Sequence, residues 1–229
     1  MRLMQLTIAL SAILIGSAGL TLLTAQDGNS GGVTTSPLDL PSGGNGSGDN
    51  DEDAPETISF YGGNFEGDGF FWLLDQSCSM EWGGRLAELK SEMTEALNSL
   101  SDNSDFGIVA FSDGTSMFNP QPLEGSSGNT AAANSWVQTL QPLGLTCMAP
   151  AGVQCIQISN MSDKENKQII VLGDGVPNCP GPTETVSTMT SANWENTPIN
   201  TIYISSDTQG VSFMQSLAAA NNGTYSQPQ

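Results

Sequence analysis

The run Phe70-Phe71-Trp72-Leu73-Leu74 contains no polar residue and stops abruptly at Asp75. A run this apolar does not alternate as a half-exposed strand must; it reads as a strand buried on both faces. Phe106-Gly107-Ile108-Val109-Ala110-Phe111 and Gln168-Ile169-Ile170-Val171-Leu172 repeat the pattern further on. Between the first two runs, Leu86, Leu89, Met93, Leu97 and Leu100 recur at helical spacing within 81–101. Further helices are expected at about 129–140, 149–161, 183–193 and 210–221. Strands are expected at 58–61 (a short edge), 116–118 and 199–205, with a last short one at 223–225. Strand–helix alternation of this kind predicts an α/β fold: a doubly wound, mainly parallel central sheet with helices on both faces.

The folded part begins near Thr57. Met1-Arg2 followed by an apolar stretch over 3–25 reads as an export signal. The stretch is also about long enough to span a bilayer, so an uncleaved anchor is the second reading, with membrane attachment through residues 3–25. Either one places the domain outside the cytoplasm. Residues 26–56, rich in Gly, Ser, Asp and Asn, read as a flexible acidic linker. Asp49-x-Asp51-x-Asp53 starts like a calcium loop, but Ala54 stands where the loop Gly belongs and Phe60 where its Glu belongs. The domain proper is expected over 57–229.

Charge narrows the function. The chain carries 24 acidic residues, five basic ones and no His, for a formal net charge of -19. Nothing here can neutralise a phosphate backbone, so nucleic-acid binding is excluded. Without His there is no Ser-His-Asp triad, no Cys-His dyad and no imidazole-ligated zinc.

What remains is oxygen chemistry. In a doubly wound sheet, ligands bind beyond the carboxyl ends of the strands. The strand at 70–74 runs into Asp75-Gln76-Ser77-Cys78-Ser79, which puts a carboxylate and two hydroxyls in one tight turn. The strand at 168–172 runs into Gly173-Asp174-Gly175, and Gly144-Leu145-Thr146 precedes the helix at 149–161. Two carboxylates and three hydroxyls suit a small hard cation such as Mg²⁺.

These three segments, in this order, resemble the von Willebrand factor A domain and its metal-ion-dependent adhesion site. The resemblance covers about residues 58–227, in a bacterial-type exported form. It implies Asp75, Ser77, Ser79, Thr146 and Asp174 as the metal ligands, with Mg²⁺ (or Mn²⁺ or Ca²⁺) as the ion. The last coordination position would be left to a carboxylate from a protein partner. The family usually has Gly between the two serines, where this chain has Cys78. If that position requires a left-handed backbone, Cys78 is strained.

The four cysteines are Cys78, Cys147, Cys155 and Cys179, and their sequence positions do not choose a pairing. The pairing expected here is Cys147 with Cys179, which would tie the second and third loops together and leave Cys155 as a buried helical thiol. A zinc site is the weaker alternative, because no Cys-x-x-Cys occurs. Trp72 is expected in the core, and Trp82, Trp136 and Trp194 are expected to pack on helix faces. Asp113 and Asp207 are read as solvated loop residues near the crevice.

The expected function is therefore a non-enzymatic binding module for adhesion or for assembly of an envelope complex. Two alternatives stand beside it. One is a scaffold or regulatory subunit with a weak or vestigial metal site. The other is a metal-dependent hydrolase, in which only a carboxylate could act as base.

Overall fold

The computed structural model describes residues 55–228. The expected leader and all but the last two residues of the acidic linker lie outside the described residues. From Glu56 onward, the chain forms β1 (Glu56–Phe60), β2 (Gly63–Gly67), β3 (Gly69–Asp75), α1 (Arg85–Ser99) and β4 (Asp105–Phe111). It continues through β5 (Thr115–Met117), β6 (Leu123–Glu124), α2 (Ser127–Thr139), α3 (Met148–Ser159) and β7 (Lys167–Gly173). It ends with α4 (Pro182–Ala192), β8 (Ile199–Tyr203), α5 (Thr208–Ala220) and β9 (Tyr225–Ser226).

The main sheet has the order β5-β4-β3-β7-β8-β9, with β6 also paired to β4. β3, β4, β7, β8 and β9 are parallel, and the short β5 and β6 run antiparallel along the outer edge of β4. β3 is central: Leu73 faces Val109 on one side and Val171 on the other. The chain winds outward from β3 to β4, returns past it to β7, and then winds the other way. The winding reverses between β3 and β7, and such a reversal opens a crevice at the carboxyl ends of the two strands.

Alternate residues of the same strands feed two cores, as the period of a strand requires. Phe70, Trp72 and Leu74 pack with Leu86, Leu89, Met93 and Leu97 of α1 and with Ala133 and Val137 of α2. Phe71 and Leu73 pack on the opposite face with Ile156 of α3, Met189 of α4 and Phe213 and Leu217 of α5. At about 25 cal/mol per Å², each fully buried large apolar side chain stabilises the fold by roughly 1.5–3 kcal/mol. This two-sided burial is why the central strands read as unbroken apolar runs.

Three local expectations are corrected. The strand near 58–61 is not an edge of the main sheet. β1 pairs with β2 in a separate antiparallel hairpin, turned by Tyr61 (φ 51°) and Gly62 (φ 72°). Two consecutive left-handed residues make the turn whose twist suits a hairpin. The helix expected over 81–101 starts only at Arg85. Before it, Cys78–Gly84 is a 3-10 segment broken at Trp82 and Gly83, and Gly83 (φ 65°) and Gly84 (φ 77°) both adopt a conformation that costs glycine least. Trp72 is buried and Trp136 partly so, but Trp82 (68% exposed) and Trp194 (70%) stand in solvent rather than against helix faces.

Candidate metal centre

β3 delivers Asp75 to the crevice because its ladder ends there, with Asp75 opposite Phe111 and the Gln76 N–H donating to the Phe111 carbonyl at 2.9 Å. The chain then doubles back. Asp75 Oδ1 accepts from the Ser77 N–H at 2.7 Å, which fixes the turn and aims both serine hydroxyls the same way. Ser77 Oγ and Ser79 Oγ are 3.1 Å apart, and Ser79 Oγ donates to Asp174 Oδ1 at 2.6 Å. The turn after β3 and the end of β7 are thus joined by a direct hydrogen bond.

The third loop is stitched to both. The Leu143 N–H donates to the Gln76 carbonyl at 2.8 Å and the Cys78 N–H to the Gly144 carbonyl at 3.2 Å. Asp113 is an exposed loop residue, as expected, and it also braces this loop by accepting from the Leu145 N–H. On the other side the Thr146 N–H donates to Asn178 Oδ1, and the Asn178 N–H donates back to the Thr146 carbonyl, both at 3.2 Å. Cys147 and Cys179 form a disulfide across these same two segments. A Cβ placed on Gly175 would stand 3.2 Å from Thr146 Oγ1 and 3.8 Å from Ser79 Oγ. Asp75, Ser77, Ser79, Thr146 and Asp174 therefore converge on one small volume that glycine keeps open.

Two carboxylates are buried in it. Asp75 is 0% exposed and Asp174 4%. Burial pushes the Asp75 carboxyl up to about 7; the hydrogen bonds from Ser77 pull it down, and the charge of Asp174 adds to the rise. Asp75 Oδ2 makes no hydrogen bond, which is costly for a buried carboxylate oxygen, and the Asp174 backbone N–H eases the carboxyl only slightly. Asp174 is better supplied: Oδ1 accepts from Ser79, and Oδ2 from Arg85 Nη1 at 2.6 Å in an ion pair. Sequence reasoning missed Arg85. Its position just after Gly83-Gly84, at the head of α1, was the available signal.

The strain expected at Cys78 does not arise. Tyr61, Asn196 and Asn222 are the described non-glycine residues with left-handed φ, and Cys78 is an exposed free thiol in an ordinary conformation. Cys155 is buried and free, and burial raises its thiol. The two free thiols, Cys78 and Cys155, lie in different settings, one exposed after β3 and one buried in α3. Asp207 is neither a crevice residue nor a free one: it caps α5, accepting from the Gln209 and Gly210 N–H groups and from the Tyr203 hydroxyl.

Among the described residues, no three Cys, Asp or Glu side chains are placed to share a metal, so an ion at this site would depend on the hydroxyls. An all-oxygen set of two carboxylates and three hydroxyls, with one buried carboxylate oxygen unclaimed, fits a small hard divalent cation.

The profile of the von Willebrand factor type A domain matches residues 71–227. The chain belongs to this family. The human inter-alpha-trypsin inhibitor heavy chain H4 is 26% identical over 113 residues, which are 46% of this chain but 12% of that protein. Among solved structures, a von Willebrand factor type A protein from Catenulispora acidiphila superposes with a TM-score of 0.64 at 20% identity. It covers 72% of this chain and 40% of its own. The pilus adhesin SpaC of Lactobacillus rhamnosus GG gives a TM-score of 0.59 at 17% identity, over 69% of this chain and 28% of its own. At these identities the structural likenesses establish the A-domain fold, and the wider activities of the longer proteins stay with those proteins.

Proposed function

We propose that this A domain is an exported binding module that holds a divalent cation, Mg²⁺ by preference. Asp75, Ser77, Ser79, Thr146 and Asp174 would be its ligands, and a carboxylate of a protein partner would be captured there. The observation that carries the reading is Asp75 Oδ2, fully buried and without a partner in a cluster of oxygens drawn from three loops. Of the buried unpartnered atoms among the described residues, this is the only carboxylate oxygen, and a cation would satisfy it. When bound, the ion supplies a Lewis-acid position that an acidic side chain can complete. The chain's own part is to fix the hydroxyls through Asp75 and to hold the second and third loops at constant spacing through Cys147–Cys179. The hydroxyls also add no charge, so the bound ion keeps its attraction for an anion.

The disulfide supports an extracytoplasmic location, since such bonds persist in oxidising compartments. The fold shared with a pilus adhesin supports a role in adhesion or envelope-complex assembly. Hydrolysis is disfavoured because both site carboxylates already belong to the proposed ligand set and no His exists to act as base. One observation favours the scaffold alternative: the Arg85 guanidinium already pairs with Asp174, as it would in a site of weak metal affinity.

Calorimetric titration of Mg²⁺ and Mn²⁺ into the protein, with Asp75→Ala as control, tests the proposal. Saturable binding in the wild type that disappears in the variant is expected. No binding to the wild type or to a variant lacking the Arg85 charge would leave the domain as a scaffold.

A further inference from the structure

We infer that Arg85 is a built-in competitor for the metal position, an in-chain cation that holds Asp174 while the ion is absent and must release it when the ion binds. The inference rests on the metal-site reading above and assigns the regulation of that site to one residue.

Asp174 needs a counter-charge. Its side chain is 0% exposed, and a buried carboxylate without a cation is strongly destabilising. Arg85 supplies that charge at 2.6 Å on Oδ2, while Ser79 takes Oδ1, so both oxygens of this ligand are engaged. The two partners differ in freedom. The Arg85 side chain is 27% exposed, so the guanidinium has an open path to water, whereas Asp174 is fixed by burial and by Ser79.

The local backbone permits such a swing. Arg85 is the first residue of α1, immediately after the left-handed pair Gly83 and Gly84, and no side-chain cap ties down the start of the helix. Asp75 lacks any comparable partner on Oδ2. The site is therefore asymmetric: one carboxylate waits for a cation and the other carries a provisional one.

The consequence is a brake on metal affinity. An ion must break the Arg85–Asp174 pair before it can take that carboxylate, and the coulombic cost of doing so, even at the dielectric of water, weakens its binding about tenfold. Removing the Arg85 charge should tighten metal binding by about that factor. The same change should weaken the metal-free protein, because Asp174 then lies buried without compensation. These opposite signs separate a competitor from a merely structural residue, whose loss would weaken both.

The test measures Mn²⁺ affinity by calorimetry for the wild type, Arg85→Gln and Arg85→Lys, with melting curves in chelator and in saturating Mn²⁺. Arg85→Gln should bind Mn²⁺ about tenfold more tightly, melt lower in chelator, and recover more on adding metal. Arg85→Lys, which keeps the charge, should stay near wild type. Binding by Arg85→Gln alone, with the wild type silent, would show the competitor at its strongest. Equal or weaker Mn²⁺ binding by a folded Arg85→Gln would overturn the inference and leave the metal site intact. Silence in all three proteins would overturn the metal-site reading and the inference with it.

Discussion

The two ends of the central sheet handle charge in opposite ways. At the amino end, Asp68 accepts from the Asn166 N–H at 2.8 Å, and Asp105 accepts from Ser162 Oγ at 2.6 Å. Lys167 Nζ donates to the Ser159 and Ser162 carbonyls at 3.1 and 3.0 Å and to Glu195 at 2.5 Å. Each of these charged groups has its partner, and the cluster acts as a staple between strand starts and loops. At the carboxyl end, two carboxylates are buried side by side; the one arginine pairs with Asp174 alone, and Asp75 Oδ2 has no partner. A half-buried charge that is paired helps to hold one structure. A fully buried carboxylate oxygen left unsatisfied costs the fold stability.

The sharpest way to break the contrast is Asp75→Asn. Metal affinity should fall by more than about a hundredfold, because a direct ligand matters more than the outer partners whose loss costs 10–100-fold. In chelator at pH 8 the variant should nevertheless be more stable than the wild type, by roughly 1–3 kcal/mol. The sign follows from the raised Asp75 carboxyl, which moves from 3.8 to about 7. The folded state holds that proton more tightly than the unfolded chain does. The contribution of Asp75 therefore favours folding in full below 3.8 and is lost as the pH rises through about 7. Urea unfolding in chelator at pH 5 and pH 8 checks this: the advantage of Asp75→Asn should narrow at pH 5. A variant less stable than wild type at both values would contradict the picture of an uncompensated carboxylate.

Lys167→Ala probes the other end. It strips a cation from Glu195 and from two carbonyls and should cost about 2–4 kcal/mol. Mg²⁺ affinity measured by calorimetry should not change. A loss of metal binding comparable to that of Asp75→Asn would mean that the two ends are not separable.

The smallest effect is expected at Asp207, an exposed residue outside the crevice whose carboxylate is fully partnered, like those of the amino end. Asp207→Ala removes the cap of α5 and should cost about 1 kcal/mol at neutral pH. The hydrogen bond from Tyr203 first, and then those from the backbone, hold the Asp207 carboxyl below its usual range. Its contribution is thus present above 3.8 and lost as the pH falls through the lower folded value. Acid melting curves of wild type and variant should therefore converge below pH 3.8.

The parts legible in sequence were those whose physics is local or averaged. β3, β4 and β7 were readable because burial on both faces leaves no polar residue in the middle of a strand. α1 was readable because Leu86, Leu89, Met93 and Leu97 repeat at helical spacing. β2 was not: in Gly63-Asn64-Phe65-Glu66-Gly67 only Phe65 is apolar, and pairing with β1 holds the strand. β6 has two residues and exists through β4 alone. Trp82 reads as packing material because an indole is apolar, but the chain breaks at Trp82 and Gly83 before α1 begins, and the indole is left 68% exposed.

By itself, the sequence determined the α/β class and which residue types could serve as oxygen ligands. The absence of His and the near absence of cations removed the competing chemistries before any folding argument was needed. Only the tertiary structure decided that Cys147 joins Cys179, that Cys78 sits in an unstrained turn, and that Arg85 reaches Asp174. The reason is distance along the chain. Arg85 and Asp174 stand 89 positions apart and Cys147 and Cys179 stand 32 apart, and no local preference encodes contacts that arise only when the fold gathers the loops at the carboxyl ends of its strands.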